Sequence, residues 1–87
     1  MEDIQSLRQE IDQIDQEIVA LFNKRLAVAY KVAQYKKEHQ LNILDQKRED
    51  ELLEKIKNLS QKEYVEETLR LYENILVISK DYQKKNI

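Results

Sequence analysis

The sequence predicts an all-α fold with three helices per chain, and three observations carry that prediction. It contains neither glycine nor proline, so the residues that usually break helices and shape hairpin turns are missing. Charged residues make up 37% of it, a composition suited to long solvated helices joined by minimal loops. Apolar residues recur at alternating spacings of three and four, which is the period of a helix and not of a strand. A chain of 87 residues has room for a single domain, residues 1–87, and a domain of that size buries only about 60% of the surface its unfolded form exposes.

The first helix is expected over residues 3–40. Asp3 can accept hydrogen bonds from the orphan amides of the first turn and complements the positive end of the helix dipole. The seam that follows reads Ile4, Leu7, Ile11, Ile14, Ile18, Leu21, Arg25, Val28, Val32, Tyr35, with a and d spacing throughout. Such a helix is about 57 Å long, whereas a compact globule of this chain length has a radius of gyration of about 12 Å. The remaining residues can cover only part of the seam. A second copy of the helix from another subunit is the economical partner for the rest.

Residues 41–44 lack a polar helical face and form the first loop, and Asp45 is a strong N-cap for a second helix over 45–59. The apolar face of that helix is Leu52, Leu53, Ile56 and Leu59. One turn further back the stripe reaches Arg48 and Glu49, which places both on or beside the inward face. Ser60 and Glu63 have the spacing of a capping box that opens a third helix over 61–84. Val65, Leu69, Tyr72 and Leu76 form its stripe, and the next two members are Ser79 and Gln83.

Composition excludes several function classes. There is no cysteine and a single histidine, His39, so disulfide frameworks, thiolate metal sites and histidine clusters are ruled out. A formal net charge of -2 carries no electrostatic footprint of a nucleic-acid binder. No apolar signal region opens the chain, and no apolar run approaches the roughly 20 residues of a membrane span. The expectation is a soluble, cytoplasmic protein.

Each helix breaks its own stripe with polar residues, and Arg25 is the sharpest break. A guanidinium on a buried seam has lost much of its water and requires an anionic partner or a wet cavity. A single polar residue at an a position also serves to fix coiled-coil register, which is the competing explanation. Register needs only one such group, whereas Arg25, Arg48, Glu49, Ser79 and Gln83 are spread over three helices and converge if the helices pack. Lys36 lies about 20° around and about 16 Å along the helix from Arg25, so their side chains reach toward each other over one face. Arg8 lies about 26 Å before Arg25. Within one chain it reads as a solvated flank of the stripe, but in an antiparallel pair of first helices Arg8 of the second subunit can close the site. The set has no nucleophile with an evident base, and Glu49 among cations serves as an acceptor. The chemistry left is electrostatic: cations and an amide around a compact polyanion, stabilising charge that develops in a transition state.

The run Leu7-Arg8-x-x-Ile11-x-x-Ile14-Asp15, then Arg25, Lys36, Asp45-x-x-Arg48-Glu49 and Ser79-x-x-x-Gln83, resembles the all-helical AroQ-type chorismate mutases over essentially the whole chain. Each motif is short, and their order and spacing on three helices carry the resemblance. It implies an intertwined homodimer with two active sites that catalyse the Claisen rearrangement of chorismate to prephenate, on the route to phenylalanine and tyrosine, without cofactor, metal or covalent intermediate. It further implies that Arg25 and the partner's Arg8 hold the substrate carboxylates with help from Arg48 and Ser79. Lys36 and Gln83 then donate to the ether oxygen, while Glu49 and the helix start at Asp45 receive the ring hydroxyl. Isochorismate-pyruvate lyases and aminochorismate mutases share the scaffold and are the alternative activities, and a non-enzymatic helical dimerisation module is the alternative outside enzymology. The acidic residue at Glu49 favours the mutase over the lyase. A chain ending at Ile87 is expected to hold no fused second enzyme and no feedback regulation of its own, and the last turn around Gln83 is expected to fray.

Overall fold

A computed structural model describes residues 3–87, so the first two residues of the expected domain lie outside it. Among the described residues the architecture is all-α: α1 (Ile4–Glu38), α2 (Gln46–Leu59), a short 3-10 turn (Lys62–Tyr64) and α3 (Val65–Lys85). Among the described residues no helix is long and apolar enough to cross a membrane.

Asp3 caps α1. Its Oδ1 accepts from the Ser6 backbone N–H at 2.8 Å, and that bond holds the carboxyl below its usual value of 3.8. A lowered folded-state value means that the cap stabilises α1 at neutral pH and loses that contribution as pH falls through the folded value. At the other end α1 stops at Glu38, two residues short of expectation, because Gln40 adopts a left-handed conformation with φ 57°. The Leu41 N–H then reaches back to the Lys36 carbonyl (2.7 Å) and the Gln40 N–H to that of Lys37 (3.2 Å). This closes the helix in a Schellman motif, whose left-handed position usually belongs to glycine. The turn carries residues 41–44 back over the helix end, where Lys36 Nζ donates to the Ile43 carbonyl at 2.8 Å. Asp45 then opens α2, with its Oδ1 accepting from the Arg48 N–H at 3.1 Å.

The capping box expected at Ser60 and Glu63 does not form. Ser60 is instead the last residue of the α2 connection, with its N–H on the Ile56 carbonyl at 3.0 Å. Its hydroxyl donates to the Gln61 carbonyl and lies 3.1 Å from Thr68 Oγ1. A partner on the first turn of α3 has thus replaced the local amide, and the chain makes a 3-10 turn before α3 starts at Val65, four residues later than expected. Glu66 and Glu67 in the first turn of α3 complement its dipole in place of a side-chain cap.

The helices meet on narrow faces. Among the described residues the buried apolar ones are Ala29, Ala33 and Ile56, with Ala33 fully covered. Ala29 and Ala33 lie one position past the heptad seam, so α3 packs on the stripe beside the seam. The seam itself stays open. From Ile4 through Leu21 every position of α1 is exposed, and the seam residues there are 37–65% accessible. Leu59, expected on the inward face of α2, is also exposed, because α2 ends there and its neighbour Ser60 makes the contact to α3. The protomer is elongated, 57 × 26 × 15 Å, with a radius of gyration of 16.2 Å. A compact chain of this length has about 12 Å, and the difference is the uncovered half of α1.

A non-glycine residue in the left-handed region costs roughly 1 kcal/mol. Gln40→Gly is therefore expected to stabilise the fold by about 0.5 kcal/mol in urea titrations, after the extra freedom of glycine in the unfolded chain is subtracted. Destabilisation on that substitution contradicts the turn assignment.

Candidate active site

A cavity of about 320 Å³ lies between the C-terminal half of α1, the first loop, α2 and α3. That is within the range of small-molecule sites. The wall from α1 consists of Arg25, Val28, Ala29, Val32 and Lys36, whose spacings of three and four place them on one face over three turns. Ile43 and Asp45 come from the loop, and Arg48, Glu49 and Leu52 from the first turns of α2. α3 contributes Leu76, Ser79, Lys80 and Gln83, again at helical spacing.

Seven of the eight residues singled out in the sequence line this one cavity: Arg25, Lys36, Asp45, Arg48, Glu49, Ser79 and Gln83. Arg8 does not. It is exposed on the uncovered half of α1, about 26 Å along the helix from Arg25. Lys80 lines the cavity and was not singled out. Heptad reading passes over it because it falls one position after Ser79, yet its i, i+3 relation to Gln83 puts the two on neighbouring positions of one helix face.

Ser79 and Gln83 are the buried polar side chains among the described residues. Gln83 Nε2 donates to the Ala29 carbonyl at 2.8 Å, which ties α3 to α1 and fixes the amide at the cavity. A carboxamide carries two N–H donors, so one is left for a ligand. Lys36 is half-buried and spends one of its three donors on the Ile43 carbonyl. Arg25 and Arg48 make no ion pair among the described residues, whereas Glu49 pairs with Lys80 at 3.1 Å. Val28, Val32, Ile43, Leu52 and Leu76 supply apolar lining between these charges. The arrangement offers cationic groups and N–H donors to a ligand of small-molecule size.

No cysteine or histidine lines the cavity. His39 stands outside it, stacked on Tyr35 at 4.0 Å. Among the described residues no three His, Cys, Asp or Glu side chains are grouped to hold a metal ion.

The family model for chorismate mutase type II matches residues 7–84. A bifunctional chorismate mutase/prephenate dehydratase of Aquifex aeolicus (strain VF5) is 34% identical over 98% of this chain, and the chain spans a quarter of the length of that relative. Among solved structures, a conserved hypothetical protein from Pyrococcus furiosus superposes with a TM-score of 0.75 at 41% identity, covering 92% of this chain and 93% of that one.

Proposed function

This chain belongs to the chorismate mutase type II family, and on that premise we propose that it rearranges chorismate to prephenate as a homodimer. The observation that carries the proposal is the convergence of Arg25, Lys36, Arg48, Glu49, Ser79 and Gln83, from three helices, on one cavity of small-molecule size. Chorismate is a dicarboxylate with an ether oxygen and a ring hydroxyl, and each has a fitting partner in that set.

The reaction is pericyclic. The ether carbon–oxygen bond breaks as a carbon–carbon bond forms, and no proton moves. The protein therefore contributes by holding the reactive conformer and by stabilising the charge that gathers on the ether oxygen. Arg25 and Arg8 of the partner subunit take the two carboxylates, assisted by Arg48 and Ser79. Lys36 and the remaining N–H of Gln83 donate to the ether oxygen. Glu49 and the start of α2 at Asp45 accept the ring hydroxyl. The open seam supports the role given to Arg8, because an antiparallel second α1 lying against Ile4–Leu21 would bring the N-terminal part of one helix beside the C-terminal part of the other.

The deciding experiment is loss of chorismate absorbance on addition of purified protein, with prephenate identified as the product. Salicylate and pyruvate formed from isochorismate, with no prephenate from chorismate, point to lyase chemistry, and no turnover of either leaves the binding module. Lys36→Ala is expected to lower kcat at least ~10²-fold, as removal of an oxyanion-hole donor does. A rate close to wild type removes Lys36 from the mechanism. Because the carboxamide of Gln83 does not ionise, activity is expected to persist above neutral pH, and a steep acid optimum contradicts its assignment as donor.

Subunit mixing tests the dimer. Arg8→Ala and Lys36→Ala are each expected to be inactive alone, whereas mixed dimers regain about one intact site in two, because both lesions then fall in the other site. Absence of recovery after verified subunit exchange places both residues in the same chain's site, and an active Arg8→Ala homodimer makes Arg8 dispensable.

A further inference from the structure

One charged residue of the cavity has no role in that mechanism. The chain has fifteen basic and seventeen acidic side chains, yet among the described residues the contact of Lys80 with Glu49 is the only ion pair. Lys80 Nζ lies 3.1 Å from Glu49 Oε2 and 3.2 Å from Oε1. The two side chains are only 25% and 17% accessible, and the bond joins α3 to α2 across 31 residues of sequence. Partly exposed pairs of this kind contribute little to folding, so stability alone does not account for its place in the cavity wall.

The position of Glu49 supplies the reason. A flexible carboxylate that must accept one hydroxyl loses rotamer freedom when the ligand binds, and its negative charge opposes an incoming dianion. Contact with both oxygens fixes the carboxylate while leaving further lone pairs free to accept. The pair also sets the charge of the cavity. Arg25, Lys36, Arg48 and Lys80 oppose Asp45 and Glu49, a net of two positive charges that matches a dicarboxylate, and without Lys80 only one remains.

We propose that Lys80 is a positioning residue that holds the Glu49 carboxylate as acceptor for the substrate's ring hydroxyl and cancels its charge in the anion pocket. This rests on the mutase reading given above.

The test is steady-state kinetics with chorismate on the wild type, Lys80→Met, Lys80→Arg, Glu49→Gln and the double variant Lys80→Met/Glu49→Gln. Turnover by the wild type tests the mutase reading by itself, and its absence overturns that reading together with this inference. Given turnover, Lys80→Met is expected to raise KM about tenfold with kcat within about threefold, because the hydroxyl contact is shared by ground and transition states. Lys80→Arg is expected to keep KM within about threefold of wild type, as a second cation able to hold the carboxylate. In the Glu49→Gln background, Lys80→Met is expected to change KM by less than about threefold, since no charged carboxylate is left to hold. A KM for Lys80→Met within about twofold of wild type, or an equal effect with and without Glu49→Gln, overturns the inference and leaves the mutase reading intact. Circular dichroism melts identify any variant that fails to fold, and Lys80→Gln then replaces Lys80→Met.

Discussion

The approach of α3 to α1 at Ala29 and Ala33 is the contact on which the rest of the structure depends. Ala33 is fully covered and Ala29 nearly so. Methyl groups at both positions let the helices close until the Gln83 amide reaches the Ala29 carbonyl. Longer side chains there would hold α3 away and carry Ser79, Lys80 and Gln83 from Arg25 and Lys36. The apolar core is otherwise small, with Ile56 its other buried member. Ser79 and Gln83 are thus buried because small residues opposite them bring the backbones together, and the burial is satisfied: no buried side-chain nitrogen or oxygen among the described residues lacks a partner.

That contact divides α1 into two halves with different work. The C-terminal half is pinned by α3 and, through the Lys36 bond to Ile43, by the loop that launches α2. It becomes one wall of the cavity. The N-terminal half keeps its apolar seam open from Ile4 to Leu21, an amount of exposed apolar surface that soluble monomers rarely tolerate in one stretch. The left-handed Gln40 links the halves of the problem. By ending α1 abruptly it sets Asp45, Arg48 and Glu49 over the cavity, at a local conformational cost that the surrounding bonds sustain.

Electrostatics follows the same division. Charges are dense along the chain but almost all are solvated and unpaired, and the single ion pair among the described residues sits in the cavity wall. Arg25 and Arg48 line the cavity without acidic partners among the described residues, Arg25 half-buried and Arg48 exposed. On the proposed reading, cations already in place would require little reorganisation when charge shifts within the ligand.

Much of this was legible in the sequence. The helices, the caps at Asp3 and Asp45, and the polar residues that interrupt apolar stripes depend on periods and spacings within a few residues of one another, and such short-range rules are written directly in the chain. Only the tertiary structure decided which of two adjacent stripes α3 would use. The heptad seam through Val28 and Val32 and the stripe through Ala29 differ by one residue, or about 100° of helix rotation. The choice was made by how closely alanines allow two backbones to approach. The same kind of long-range competition gave the Ser60 hydroxyl to Thr68 instead of a local capping box, and it gave Glu49 a partner 31 residues away in Lys80. Neither partner is marked by any local pattern, because each contact exists only once two helices have docked.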